Sequence, residues 1–260
     1  KLELLAQKNM MPYPEYEVII PARLASSRLP GKVLRDIVGK PMLVHVVEAA
    51  RKSHARKIWV ATDSEAIAIT CQQFDVPYIM TSSSHQSGTD RLAQAAKILD
   101  LSDETIVVNL QGDEPAINPT LLDDLASALT KTTAAAATVA HPIIHQEDLH
   151  NPNVVKTVLN AKNEALYFSR SLIPYTRAKN IQFPVLRHIG VYAYRAHLLK
   201  HYTQLQISPL EQCEMLEQLR LLWHGITIHV LISTHSPSIG VDTEEDLQCI
   251  IELFKSKEAT

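Results

Sequence analysis

Arg23, Arg28 and Lys32 lie within the segment Pro21-Ala22-Arg23-Leu24-Ala25-Ser26-Ser27-Arg28-Leu29-Pro30-Gly31-Lys32, at a spacing that suits a polyphosphate. A guanidinium can hold two phosphate oxygens at once and an ammonium adds a point charge. Together they can neutralise a triphosphate and the charge that develops on it during transfer. Solvated loops also carry cations, but Ala22, Ala25, Ser26, Ser27 and Gly31 are small enough for a ligand to approach the backbone. The pattern is neither GxGxxG nor GxxxxGKS/T, which argues against a dinucleotide or Walker-type site.

Two acidic segments complement this loop. In Val107-Val108-Asn109-Leu110-Gln111-Gly112-Asp113-Glu114-Pro115 an apolar run delivers Gln111 and Asp113 to its carboxyl end, where a carboxylate can hold Mg²⁺ against phosphates. Glu114 alternates away and precedes a proline, so loop structure and function are equally open to it. In Gly240-Val241-Asp242-Thr243-Glu244-Glu245-Asp246, Asp242 could simply cap the helix that follows. Two carboxylates after separate strands, in a chain with a phosphate-binding loop, nevertheless predict that Asp113 and Asp242 share one Mg²⁺. Ser87-Gly88-Thr89-Asp90-Arg91 opens a helix with hydroxyls and exposed amides that can contact a base or phosphate.

The elements that must position these residues follow from periodicity. Strand-like runs at 17–20, 57–62, 76–80, 105–110, 134–140 and 226–233 alternate with helical patterns at 41–53, 64–74, 88–99, 119–130, 196–205, 209–223 and 243–254. Asn118-Pro119, Ser208-Pro209 and Asp242-Thr243 are helix starts. This alternation predicts an α/β fold with a doubly wound, mostly parallel sheet that binds ligands at the carboxyl ends of its strands. The middle departs from it: 154–159 and 165–169 read as a hairpin and 188–194 as a further strand. The interval 150–205 is therefore expected to be a smaller, mostly antiparallel inserted lobe, placed to cover the ligand edge or join two subunits. Residues 1–16 read as an N-terminal extension to a single domain over 17–260.

Composition narrows the classes. With 260 residues, 46% hydrophobic and 20% charged, and a net charge of -3, the chain has the profile of an ordinary soluble protein without a global bias toward nucleic acid or anionic membrane. No segment is long and apolar enough to span a bilayer. Cys71, Cys213 and Cys249 lack CxxC spacing and read as reduced core thiols of a cytoplasmic protein. His197 with His201, and His141 with His145, have no evident third ligand, which disfavours a transition-metal site. Only seven glycines occur, and those at 31, 88, 112 and 240 adjoin charged or polar clusters where backbone must turn or let a ligand approach.

The blocks IIPARLASSRLPGKVL, HQSGTDRLA, NLQGDEP, ALYFSRSLIP, RHIGVYAYR, EMLEQLRLLWHG and GVDTEEDL, in this order from Ile19 to Leu247, resemble the 3-deoxy-manno-octulosonate (KDO) cytidylyltransferases, or CMP-KDO synthetases. The resemblance implies a glycosyltransferase-A-like nucleotide-binding fold, a homodimer, and the reaction of CTP with KDO to give CMP-KDO and pyrophosphate. That reaction activates KDO for lipopolysaccharide assembly in the cytoplasm. Carried over by motif position, Pro21, Ala22, Arg23 and Lys32 would line the CTP site, with Ser26 and Arg28 in the same loop and Ser87 near the base or ribose. Asp113 and Asp242 would ligate Mg²⁺, while Gln111, Arg170, His188, Tyr192, Glu217 and Gln218 would surround the acidic sugar. The residue types suit these roles. Arg170 can pair with a carboxylate, and His188 and Tyr192, four apart on an extended segment, project to one face. The plainer readings are a structural ion pair for Arg170, a satisfied core bond for His188, and a solvated helix edge for Glu217 and Gln218 opposite inward Leu216, Leu219 and Trp223. The chain departs from the family pattern at Asn160 and Asn163, where Asp and Gly are expected, and at Tyr175-Thr176-Arg177. Two rivals remain: a cytidylyltransferase for another acidic sugar such as a sialic acid, and an inactive nucleotide-binding regulator.

Overall fold

A computed structural model describes residues 13–25, 28–85, 87–178, 183–235 and 238–258. Strand β1 (Tyr16–Ala22) leads through the short pair β2 (Asp36–Ile37) and β3 (Lys40–Pro41) to α1 (Met42–Ala50), β4 (Lys57–Thr62), α2 (Glu65–Gln73), β5 (Tyr78–Met80), α3 (Gly88–Ile98), β6 (Ile106–Asn109), α4 (Pro119–Thr130) and β7 (Ala136–Pro142). The hairpin β8 (Lys156–Leu159) and β9 (Ala165–Ser169) precedes the long β10 (Leu186–Arg195), followed by α5 (Ala196–Tyr202), α6 (Pro209–Glu214), α7 (Gln218–Trp223), β11 (Ile228–Ile232) and α8 (Glu244–Glu258).

The main sheet runs in the order β11-β7-β10-β6-β1-β4-β5. Its neighbours are parallel except at β10, which is antiparallel to both β6 and β7. Every residue of β1 is buried, as expected for an interior strand covered on both faces. Strand alternation sends Val18 and Ile20 into the core shared with α1, α2 and α4, and Ile19 into the core shared with α3 and α5. The chain lays β4 and β5 on one side of β1 and then returns to lay β6 on the other. Such a reversal opens a crevice at the strands' carboxyl ends. The cation-rich loop follows β1 there, and Gln111-Gly112-Asp113 follows β6.

Four local expectations are corrected. Strand β10 pairs Tyr192 with Asn109 of β6 and with Thr138 of β7, so it runs through the body of the main sheet. The antiparallel insertion is thus smaller than 150–205, and its hairpin joins the sheet where Leu186 of β10 meets Thr157. The helix expected over 209–223 is broken at Met215, which adopts φ 53 and ψ 49. Trp223 is 55% exposed rather than inward. Of the three cysteines only Cys71 lies in the core; Cys213 on α6 and Cys249 on α8 are exposed, the latter because α8 buries Leu247 and Ile250 instead. Of the extension, residues 1–12 lie outside the described residues.

The asparagines of the β8–β9 turn do the work of the expected Asp and Gly. Asn160 Oδ1 accepts from the amides of Lys162 (2.8 Å) and Glu164 (3.0 Å), and Asn163 takes the left-handed conformation at φ 57. Asparagine tolerates that region better than most side chains.

Candidate active site

The loop after β1 closes in a short 3-10 turn over Lys32–Leu34, entered through Gly31 at φ 65, a conformation that favours glycine. The turn aims Lys32 across the crevice. Its Nζ donates to Asp113 Oδ2 (2.5 Å), Asp242 Oδ1 (2.9 Å) and the Val241 carbonyl (2.9 Å). Arg28 holds the other Asp242 oxygen at 2.9 Å. Burial alone would lower the Lys32 pKa, but Asp113 and Asp242 outweigh it and the net shift is upward, so the ammonium stays charged.

Asp242 is available to the crevice because it does not cap α8. Thr243 Oγ1 accepts from the Asp246 amide (3.2 Å), and the Asp246 carboxylate accepts in return from the amides of Thr243 (2.9 Å) and Asp242 (3.0 Å). Two carboxylates converging on one cationic atom make an all-oxygen donor set that fits a hard divalent cation such as Mg²⁺. Among the described residues no group of three or more His, Cys, Asp or Glu forms a metal site. A cation here would fill the remainder of its shell with phosphate oxygens and water.

Around these groups lies a cavity of about 310 Å³. Pro21, Ala22, Arg23, Arg28, Lys32, Ser87 and Gln111 all line it, together with Asp113 and Asp242. Ser26 lies outside the described residues. Ser87 caps α3 by accepting from the Asp90 amide at 3.1 Å. Gly112 passes so close to β1 that a Cβ on it would stand 3.2 Å from the Pro21 carbonyl oxygen, so a side chain there would displace the cavity wall.

A second cavity, of about 270 Å³, adjoins the first, and Thr89, Gln111 and Glu217 line both. His188, Tyr192 and Gln218 line its remainder with Asn109 and Tyr202. Among the described residues, three buried polar atoms on this wall have no hydrogen-bond partner: the hydroxyls of Tyr192 and Tyr202 and the amide nitrogen of Gln218. Buried polar groups are nearly always paired, so three orphans on one cavity point to a polar ligand or ordered water there. His188 and Tyr192 do share a face, with ring centroids 5.4 Å apart. His188 Nε2 meets Thr138 Oγ1 at 3.0 Å, and burial pushes its pKa down to about 3, which keeps the imidazole neutral. Desolvation of the Glu217 carboxyl against the cavity wall raises its pKa, opposed by hydrogen bonds from Thr89 (2.8 Å) and Ser87.

Glu217 and Gln218 face this cavity because the helix breaks just before them. Arg170 caps the break: its guanidinium donates to the carbonyls of Glu214 (2.7 Å), Met215 (3.3 Å) and Pro152 (2.9 Å) at the carboxyl end of α6. Arg170 is therefore the one described residue of the expected sugar set that lines neither cavity. Sequence reasoning missed Thr89, Asn109 and Tyr202 as wall residues. Thr89 and Asn109 stood inside the singled-out blocks, whereas Tyr202 carried no signal beyond its place in a helical run.

The chain matches the cytidylyltransferase family model over residues 17–228. It is 50% identical over 250 residues to a 3-deoxy-manno-octulosonate cytidylyltransferase of Neisseria meningitidis serogroup A, covering 93% of this chain and 99% of the relative. The Neisseria gonorrhoeae enzyme of the same name is 49% identical over the same shares. A solved CMP:2-keto-3-deoxy-manno-octonic acid synthetase, in complex with CTP, aligns at TM-score 0.87 with 41% identity, covering 94% of this chain and all 100% of the other. A cytidylyltransferase from Leptospira borgpetersenii, 16% identical at TM-score 0.58 over 94% of this chain and 95% of its own, shares the fold.

Proposed function

We propose a reaction for this chain from one premise: it belongs to the 3-deoxy-manno-octulosonate cytidylyltransferase family. CTP occupies the cation-lined cavity and KDO the adjoining one, and the products are CMP-KDO and pyrophosphate. The observation that carries this reading is the shared wall of Thr89, Gln111 and Glu217, which brings a phosphate site and a polar, partner-seeking cavity into contact. The anomeric oxygen of KDO attacks the α-phosphorus in line. A new P–O bond forms, the bond to the pyrophosphate oxygen breaks, and the hydroxyl proton leaves to solvent.

Catalysis is mainly positioning and charge neutralisation. Arg23, Arg28 and Lys32 hold the phosphates, and Gln111 and Glu217 orient the acceptor at the junction. Tyr192, Gln218 and neutral His188 bind acceptor oxygens. Mg²⁺ held by Asp113 and Asp242 would neutralise phosphate charge and lower the pKa of the attacking hydroxyl. By the same reading the enzyme is a cytoplasmic homodimer that activates KDO for lipopolysaccharide assembly. No helix among the described residues is long and apolar enough to cross a membrane.

The test is pyrophosphate release with CTP, UTP or ATP as donor and KDO or a sialic acid as acceptor, with and without Mg²⁺. Release with CTP and KDO alone, dependent on Mg²⁺, is the expected result. Preference for a sialic acid moves the chain to the rival acceptor class, and CTP binding without release makes it a regulator. Tyr192→Phe removes an orphaned hydroxyl, so it should raise the KM for KDO about tenfold and change the KM for CTP little. Its Tm should hold or rise, since no hydrogen-bond partner among the described residues is lost. A KM for KDO equal to that of the unsubstituted chain would take Tyr192 out of the acceptor site.

A further inference from the structure

Glu114, next to Asp113, lines neither cavity. It is half-buried, and its Oε2 accepts a short hydrogen bond from the Ser238 hydroxyl, 124 residues away. Its other oxygen lies under Gly240: a Cβ there would stand 3.2 Å from Glu114 Oε1, so the absence of a side chain lets the backbone pass over the carboxylate. One residue on, the Val241 amide donates to the Asp113 carbonyl at 2.9 Å. The segment that ends in Asp242 is thus fastened to the loop that carries Asp113.

Resting on the proposed function, the geometry points to Glu114 as a positioning residue that staples the segment bearing Asp242 to the loop bearing Asp113, so that both carboxylates face one divalent cation. Backbone bonds from Asp242 to Asp246 and from Val241 to Asp113 restrain the main chain here, and the Asp242 side chain is otherwise held only by its pairs with the cations Arg28 and Lys32 among the described residues. Those cations also face the nucleotide, and a guanidinium or ammonium drawn to phosphate holds Asp242 less firmly. A hydrogen bond between Glu114 and Ser238, set back from the phosphates, persists while Arg28 and Lys32 engage substrate.

The test uses the full chain with CTP and measures Mn²⁺ affinity from the paramagnetic resonance signal of the unbound ion, so that no acceptor and no turnover are needed. Glu114→Ala and Ser238→Ala should each weaken Mn²⁺ binding about tenfold, and the double variant no further, because both remove the same bond. Glu114→Gln keeps an oxygen for Ser238 and should stay within about threefold of the unsubstituted chain. CTP affinity without metal should be unchanged in all four. Gly240→Ala should weaken Mn²⁺ binding when Glu114 is present and have no effect in the Glu114→Ala background, where the crowding is relieved. Unchanged Mn²⁺ affinity in a folded Ser238→Ala chain, or additive losses in the double variant, overturns the staple. So does an unsubstituted chain with no CTP-dependent Mn²⁺ site. An unsubstituted chain that binds Mn²⁺ and shows the staple's pattern, yet releases no pyrophosphate with KDO, supports the staple and sinks the proposed reaction instead.

Discussion

Asp113→Asn should lower kcat for pyrophosphate release by about 10³-fold while leaving CTP affinity within about threefold. The amide is nearly isosteric and can still reach Lys32, whose ammonium lies 2.5 Å from the carboxylate. What it removes is one of the two negative charges that converge there. A neutral oxygen binds a hard cation far more weakly than a carboxylate, so stabilisation of charge moving onto the leaving pyrophosphate is lost. The ground-state complex suffers less, because Arg23, Arg28 and Lys32 keep their charges. Asp242→Asn should fall in the same direction. Steady-state kinetics with calorimetric CTP binding would check this, and a kcat close to that of the unsubstituted chain in either variant would falsify the shared-metal assignment.

Arg220→Met should destabilise the chain by about 3–5 kcal/mol, the usual cost of stranding one partner of a buried ion pair. Arg220 and Glu211 are 6% and 9% exposed, so the remaining carboxylate would have little water to replace its partner. The guanidinium makes a two-pronged contact, Nε to Glu211 Oε2 at 2.8 Å and Nη2 to Oε1 at 2.6 Å. Glu211 also closes a capping box with Ser208 at the start of α6. The Arg220 guanidinium further lies 4.7 Å from the centroid of the Tyr202 ring, which lines the second cavity. Thermal unfolding should show a Tm lower by roughly 10 °C, and the surviving native protein should bind KDO more weakly. The Glu211→Leu/Arg220→Met pair should recover much of the lost stability, since no charge is stranded. A Tm within about 1 °C of the original in Arg220→Met would remove the pair from the supports of this wall.

Strands, helices and their order were legible because each signal is local. The apolar run of β1, Asn118 before Pro119 and Ser208 before Pro209 act within a few residues, and the structure repeats them. The candidate site was legible as a set of residue types, since cations after one strand and carboxylates after two others are what phosphate chemistry needs. Errors arose where a distant group acts on a local pattern. Nothing in Glu214-Met215-Leu216 signals a helix end; there Met215 takes the left-handed conformation and Arg170, 44 residues earlier, caps the Glu214 carbonyl. Likewise Asp242 and Thr243 both look like caps in one dimension, and the geometry gave that work to Thr243 and Asp246.

By itself, the sequence determined the alternation of strand and helix, the cation-rich loop after β1, and the ordered blocks that mark the family, because residue type and short-range spacing encode them. Tertiary structure decided which of those residues meet. Sheet order set β1 beside β6, which let Lys32 reach Asp113 and Asp242 across 81 and 210 residues and left the hydroxyls of Tyr192 and Tyr202 on one wall without partners among the described residues. Such convergence depends on long-range packing of the whole sheet, which no window of sequence contains.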